Sequence, residues 1–310
     1  MSTQSNAIPD YSRDSQMSTP AVMAPTRPMY WSLRRELWEN RSIYIAPLAA
    51  AALFLLGYLI SMIHLRHKLN GGLILDPMQQ HDLMDAPYSF AALLIMGTTI
   101  IVAVFYCLDA LYGERRDRSI LFWKSLPVSD LTTVLSKASI PLLILPLLTF
   151  AITVVTQWVT LLISTAALAG STLNVGAVWS QVSWFQMSMI LLFHLLAIHG
   201  LWYAPFYGWF MLVSAWARRA PFVWAILPPF AIAMVEKIAF NTSYFAALLQ
   251  SRVRGPEAVA FAAPGHDSMH ALTLLNLGQF LSSPGLWIGL AFFAACLAAA
   301  MRLRRSQGPI

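Results

Sequence analysis

The chain has 310 residues, 58% of them hydrophobic and 11% charged, where a soluble domain carries roughly 25% charged residues. With a mean hydropathy of +0.61, this excludes an ordinary soluble domain and indicates an integral membrane protein. The formal charge of +6 would suggest nucleic acid as the partner of a soluble chain, but here basic residues are read by position, because they sort to the cytoplasmic side of a bilayer.

The first 28 residues are rich in Ser, Thr, Pro, Gln and Met without an apolar run, and are expected to form a disordered cytosolic tail. From Met29 to Arg41, MYWSLRRELWENR sets Leu33 and Leu37 at i,i+4 between Trp31 and Trp38. That pattern predicts an amphipathic helix lying in the inner interface. Membrane spans follow from length, since about 20 apolar residues cross the hydrocarbon core. Residues 43–65 and 90–112 qualify directly. From Ala138 to Ala217, 80 residues contain no Asp, Glu, Lys or Arg. One helix of that length would be roughly 120 Å long, so the chain must turn back. The Gly, Ser, Thr and Asn cluster at 169–183 supplies the turn, dividing the stretch into spans at 138–168 and 184–216. Residues 221–244 and 284–301 make a fifth and a sixth, leaving 306–310 as a short tail.

Orientation follows from the 20 Lys and Arg. With the amino terminus inside, fifteen are cytosolic: five before the first span, then Arg115, Arg116, Arg118, Lys124 and Lys137, then Arg218 and Arg219, then Arg302, Arg304 and Arg305. Four are outside, at Arg66, Lys68, Arg252 and Arg254, and Lys237 falls within the fifth span. The asymmetry predicts both termini in the cytosol. The expected fold is therefore an all-α polytopic membrane protein of six transmembrane helices, with residues 29–305 as one unit. Cys107 and Cys296 both lie in apolar stretches, so no disulfide framework is indicated.

Few residues invite chemistry. His194 and His199 are five apart, about 140° around an α-helix at about 100° per residue, and so do not share a face as an i,i+4 metal pair would. No metal site is expected. No carboxylate pair, nucleophile elbow or Cys-His cluster argues for an enzyme. Glu236 and Lys237 read either as an outer polar gate or as an interfacial pair. Asp109 reads as a partner of Arg115 or Arg116, or as a cavity lining. Trp202, Tyr203, Tyr207 and Trp209, around the kink expected at Pro205, read as a surface for an amphipathic substrate or as an aromatic belt.

The cytosolic loop GERRDRSILFWKSLPVSD, residues 113–130, combines Arg115, Arg116, Arg118 and Lys124 with Ile120, Leu121, Phe122 and Trp123. Its aromatics either rest among lipid headgroups or dock into a soluble partner. Pro127 stops a helix, and Ser129 or Asp130 is a plausible N-cap for the next one. The segment reads as short helix, turn, new helix.

ERRDRSILFWKSLPVSD resembles the loop between the second and third spans of permease subunits in the type-2 ABC exporter family, and the span count and amphipathic lead-in are similar over about residues 29–305. The resemblance implies a coupling helix at about Ser119–Ser125, seated in a groove of a cytosolic ATPase subunit. Glu114, Arg115, Arg116, Arg118, Ser119, Ile120, Leu121, Phe122, Trp123, Lys124, Leu126 and Pro127 would form that interface, the apolar residues as anchors and Arg115, Arg116 and Lys124 as rim. It further implies a second permease copy, two ATP-binding subunits, ATP and Mg held on those subunits, and a bacterial cytoplasmic (inner) membrane. Between the fifth and sixth spans it implies short outer or re-entrant helices, for which residues 258–263 and 271–281 are the apolar pieces. No G-x-x-x-x-G-K-[ST] phosphate loop occurs in this chain, so the ATPase is expected on another. The alternative is an ATP-independent protein, a secondary transporter or the membrane anchor of a complex.

Overall fold

The computed structural model describes residues 28–70, 77–121, 129–168, 184–260 and 277–307. Those residues are helical throughout, with short breaks. Helix α1 (Pro28–Glu39) precedes α2 (Ser42–Asn70), and α3 (Pro77–Asp109) runs into the one-turn α4 (Tyr112–Arg116). The next stretch is α5 (Asp130–Ser139), a π-helical turn (Ile140–Ile144) and α6 (Leu145–Leu168). Then come α7 (Trp184–Phe193), a second π-helical segment (His194–Trp202) and α8 (Ala204–Trp216). The described part closes with α9 (Pro221–Phe240), α10 (Tyr244–Ala260), α11 (Leu277–Ser282) and α12 (Pro284–Ser306).

Among the described residues, five helices are long and apolar enough to cross a membrane: Ser42–His67, Ala86–Arg116, Asp130–Ala167, Pro221–Phe240 and Pro284–Ser306. The pair Met187–Trp202 and Ala204–Trp216, bent by 45°, makes a sixth if taken as one span. The helical third stretch begins at Asp130, eight residues before the apolar run. Ser129 is the cause, its Oγ accepting from the Thr132 N–H at 3.1 Å as an N-cap. The fifth span ends at Phe240, because Asn241 adopts a left-handed conformation (φ 50°) that stops the helix.

Close packing depends on small residues. A Cβ at Gly208 would meet the Phe293 ring at 2.8 Å and the Phe293 Cα at 3.1 Å, so this glycine allows α8 to lie against α12. Hydroxyls bond between spans: Tyr58 with Ser164 at 2.7 Å, and Thr99 with Thr149 at 2.9 Å. Each such bond contributes on the order of 0.6 kcal/mol. The largest buried cluster joins Ile43, Tyr106, Cys107, Val134, Tyr207, Met211 and Ala300, with Leu33 and Leu37 of α1 packed against it. It sits where α1, α4, α5 and the ends of α3, α8 and α12 converge. By contrast α9 exposes most of its apolar side chains, including Phe222, Trp224, Phe230 and Ile238.

Candidate functional site

Beneath that cluster lies a chain of alternating charges. Glu36 of α1, 2% exposed, receives Lys137 Nζ at 2.7 Å and the Tyr106 hydroxyl at 2.9 Å. Lys137, 3% exposed, lies 3.3 Å on its other side from Glu114 Oε1, an ion pair without hydrogen-bond alignment. Glu114 Oε2 accepts from Arg304 Nη1, whose Nε donates to Asp130 Oδ1 at 3.0 Å. Arg305 Nε approaches Asp130 Oδ2 at 3.5 Å from the surface. Desolvating so many charges is costly unless each meets an opposite partner. The order acid, Lys, acid, Arg, acid supplies one at every step and ties α1, α4, α5 and α12 together.

The same turn is fixed to α8. Arg115 Nη1 donates to the carbonyls of Ala215 (2.6 Å) and Ala217 (3.2 Å), satisfying orphan groups at that helix end. Ser214 Oγ accepts the N–H groups of Leu111 (3.0 Å) and Tyr112 (2.8 Å). Glu114 and Arg115, expected at the docking surface, therefore have their side chains turned into the protein. The physical reason is that helix ends at the base of the bundle leave carbonyls and cations that need partners.

The three residues after this clamp face outward, whereas Ile120, expected as a docking anchor, turns into the protein. Arg116, Asp117 and Arg118 are exposed, and Arg118 takes a left-handed φ of 57° that turns the chain. Arg116 pairs with Asp117 at 3.0 Å and lies 3.8 Å from Asp109, which is itself exposed on this surface. The Ser119 hydroxyl donates to the Glu114 carbonyl at 3.4 Å, Ile120 is buried, and Leu121 is 58% exposed. Phe122, Trp123, Lys124, Ser125, Leu126 and Pro127 lie outside the described residues.

A second set of polar groups occupies the interior. The two π-helical turns face each other, and the hypothetical Cβ of Gly200 would lie 2.6 Å from the Leu142 carbonyl oxygen, so only glycine fits there. The π-turn also corrects the expected separation of the histidines. Because i→i+5 bonding brings residues five apart onto one face, the His194 and His199 rings stand 5.4 Å apart. No group of three metal-ligating side chains occurs among the described residues. Beside them Thr99, Pro141, Pro146, His199 and Tyr207 line a small cleft of about 10 Å³, roughly room for one water molecule.

From this cleft a polar stripe runs along α6: Thr149, Thr153, Thr156, Gln157, Thr160 and Ser164, all buried. Thr149, Thr156, Thr160 and Ser164 donate to carbonyls four residues back, at 2.7–2.8 Å, which leaves their oxygens as acceptors. The Thr153 hydroxyl has no partner. The signal for this stripe was present in the sequence as hydroxyl and amide residues at three- and four-residue spacing within an uncharged run.

The expected pathway residues divide. Tyr207 lines the cleft. Trp202 Nε1 donates to the Arg252 carbonyl (2.8 Å) and the Tyr203 hydroxyl to the Val253 carbonyl (3.4 Å), tying them to α10. Trp209 Nε1 donates to the Ala225 carbonyl of α9 at 3.0 Å. Glu236 caps the start of α10, accepting the N–H groups of Tyr244 (2.6 Å) and Phe245 (2.8 Å) and the Thr242 hydroxyl (2.9 Å), while Lys237 is exposed. Arg252 inserts over the Trp202 ring at 4.2 Å and donates to the Gly285 carbonyl at 2.7 Å, with its Nε and Nη2 buried and unpaired. Burial pushes this guanidinium below the usual arginine range.

No protein-family model, curated protein or solved structure matches this chain.

Proposed function

We propose that the chain is the membrane-spanning subunit of an ATP-driven exporter in the cytoplasmic membrane, with hydrolysis supplied by a separate ATP-binding subunit docked on the segment around residues 116–127. The observation that carries this reading is the clamp formed by Glu36, Glu114, Arg115, Lys137 and Arg304. It joins the root of the loop to α1, α5, α8 and α12 at once, so force applied to the loop is passed to several spans without loss in a soft hinge. Leu121 is exposed, and the apolar residues Phe122 and Trp123 follow it in sequence. Arg116 and Arg118 would form a basic rim for an acidic groove.

The working unit in this reading is two copies of the chain with two ATPase subunits, related by a two-fold axis. The exposed apolar face of α9 would meet lipid or the second copy. ATP and Mg would reside on the partner subunits. The 80-residue stretch without charge at 138–217 carries no carboxylate to couple ions near the midplane, which disfavours a secondary transporter. The hydroxyl stripe of α6 and the cleft at Tyr207 provide acceptors along which a polar part of a substrate would pass.

Co-purification with ATP-binding subunits and transport in reconstituted vesicles test the proposal, using Phe122→Asp and Trp123→Asp. Docking of these residues in a pocket predicts lost capture and lost transport, since a buried unpaired carboxylate costs several kcal/mol. Normal capture and normal transport in both variants would remove this segment as the coupling element, and robust ATP hydrolysis by the isolated chain would remove the proposal.

A further inference from the structure

Helix α1 has three faces with different chemistry. One points into the protein, where Leu33 and Leu37 join the buried cluster and Glu36 is held by Lys137 and Tyr106. A second carries the Arg35–Glu39 pair at 2.6 Å, a neutralised polar face. The third carries Trp31, Arg34 and Trp38 at i, i+3 and i+7, which share one side of a helix. Trp31 and Trp38 are 58% and 67% exposed, with Tyr30 edge-on to Trp31 at 5.5 Å. The Arg34 guanidinium stacks between the two indoles, 5.5 Å from one ring centroid and 4.8 Å from the other.

We propose that this third face is a binding site for the phosphate of anionic phospholipid headgroups in the leaflet bordering the basic end of the bundle. The depth of α1 is fixed by its anchors. Tyr106 lies three residues from the end of α3 and Lys137 seven from the start of α5, or about 5 and 10 Å along their axes. Helix α1 is thus held at one end of the bundle, where an interfacial helix would lie along the headgroup boundary. Stacking holds the faces of Arg34 against aromatic rings and leaves its N–H edge for a forked contact with phosphate oxygens. The indoles, each with an apolar body and a polar N–H, suit the same depth. Charge complementarity favours an anionic surface: the nearest acid on the helix, Glu39, is committed to Arg35, and Arg41 follows, exposed, at the junction with α2.

The proposal rests on the reading of this end of the molecule as its cytosolic membrane interface, and the test separates the two. The full chain is reconstituted in vesicles containing equal phosphatidylglycerol and phosphatidylcholine and extracted in mild detergent, and retained lipids are counted by native mass spectrometry. Wild type is expected to retain phosphatidylglycerol in preference. Arg34→Gln should lower that preference about fivefold, on the scale of one basic residue at an anionic surface, as should Trp31→Ala combined with Trp38→Ala. Arg35→Gln, on the neighbouring face, should leave it unchanged. Equal retention by Arg34→Gln and wild type, or an equal loss in Arg35→Gln, overturns the proposal. Loss of ATPase-subunit capture by Arg34→Gln with unchanged lipid retention would also overturn it, marking the face as a protein interface. A cysteine at Glu39, in a chain lacking Cys107 and Cys296, reports independently on the side of the membrane. Labelling from outside would overturn the cytosolic reading while leaving the lipid count to stand for itself.

Discussion

Lys137 illustrates what a single residue does in this molecule. Its ammonium is the only cation within contact of Glu36 among the described ion pairs, and it also faces Glu114. Lys137→Met should strand a buried carboxylate and lower stability by about 3–5 kcal/mol, seen as a depressed unfolding midpoint in detergent micelles. Adding Glu36→Gln should recover part of that loss, because an amide can still accept from Tyr106 without demanding a cation. A double variant no more stable than Lys137→Met alone would contradict the ion-pair account. None of this was legible in the sequence, where Lys137 counted only as one more basic residue near the inner side. The partners are 101 residues apart, and nothing in local spacing links them. His194 and His199 were misread for a related reason: the angular separation assumed α-helical geometry, and the π-turn that overrides it is packed against the π-turn of another span, with Gly200 on the Leu142 carbonyl.

At the scale of elements, the spans were legible because burial in hydrocarbon demands a minimum apolar length, and hydropathy reports that directly. Their ends and breaks were less so. The amphipathic turn DLTTVLSK extends the third stretch without adding to an apolar run, whereas the 45° bend at Tyr203 falls where Pro205, in the first turn of α8, led a kink to be expected. Glycine distinguishes the packed elements from the loose ones. Gly200→Ala would press a methyl against the Leu142 carbonyl, a backbone atom that cannot swing away, and should cost about 1–3 kcal/mol by overpacking. Gly97→Ala meets nothing within 4 Å and should be neutral, or stabilising by up to about 1 kcal/mol from helix propensity. Thermal unfolding of the two variants side by side decides this, and equal effects would mean that the π-turns are not closely engaged.

For the whole molecule, the central expectation is its orientation, since both the docking surface and the lipid-binding face require the end built from α1, α4 and α5 to be cytosolic. The physical basis is the distribution of the 20 Lys and Arg, which retains most of them on one side of the bilayer. The structure adds a second consideration. At that end Glu36, Glu114, Lys137 and Arg304 are neutralised inside the protein, so among the described residues the charge bias seen by the membrane is carried by Arg34, Arg41, Arg116, Arg118, Arg218, Arg219 and the exposed end of α12. In a chain lacking Cys107 and Cys296, single cysteines at Met78 and Val175 should react with an impermeant maleimide added to intact cells. One at Ser125 should react only after the membrane is opened. Replacing Arg116, Arg118 and Lys124 together by Gln should leave this pattern intact, because the remaining inner cations still outnumber the four outer ones. External labelling at Ser125 in the otherwise unsubstituted chain would invert the molecule and place the loop where no cytosolic ATPase can reach it.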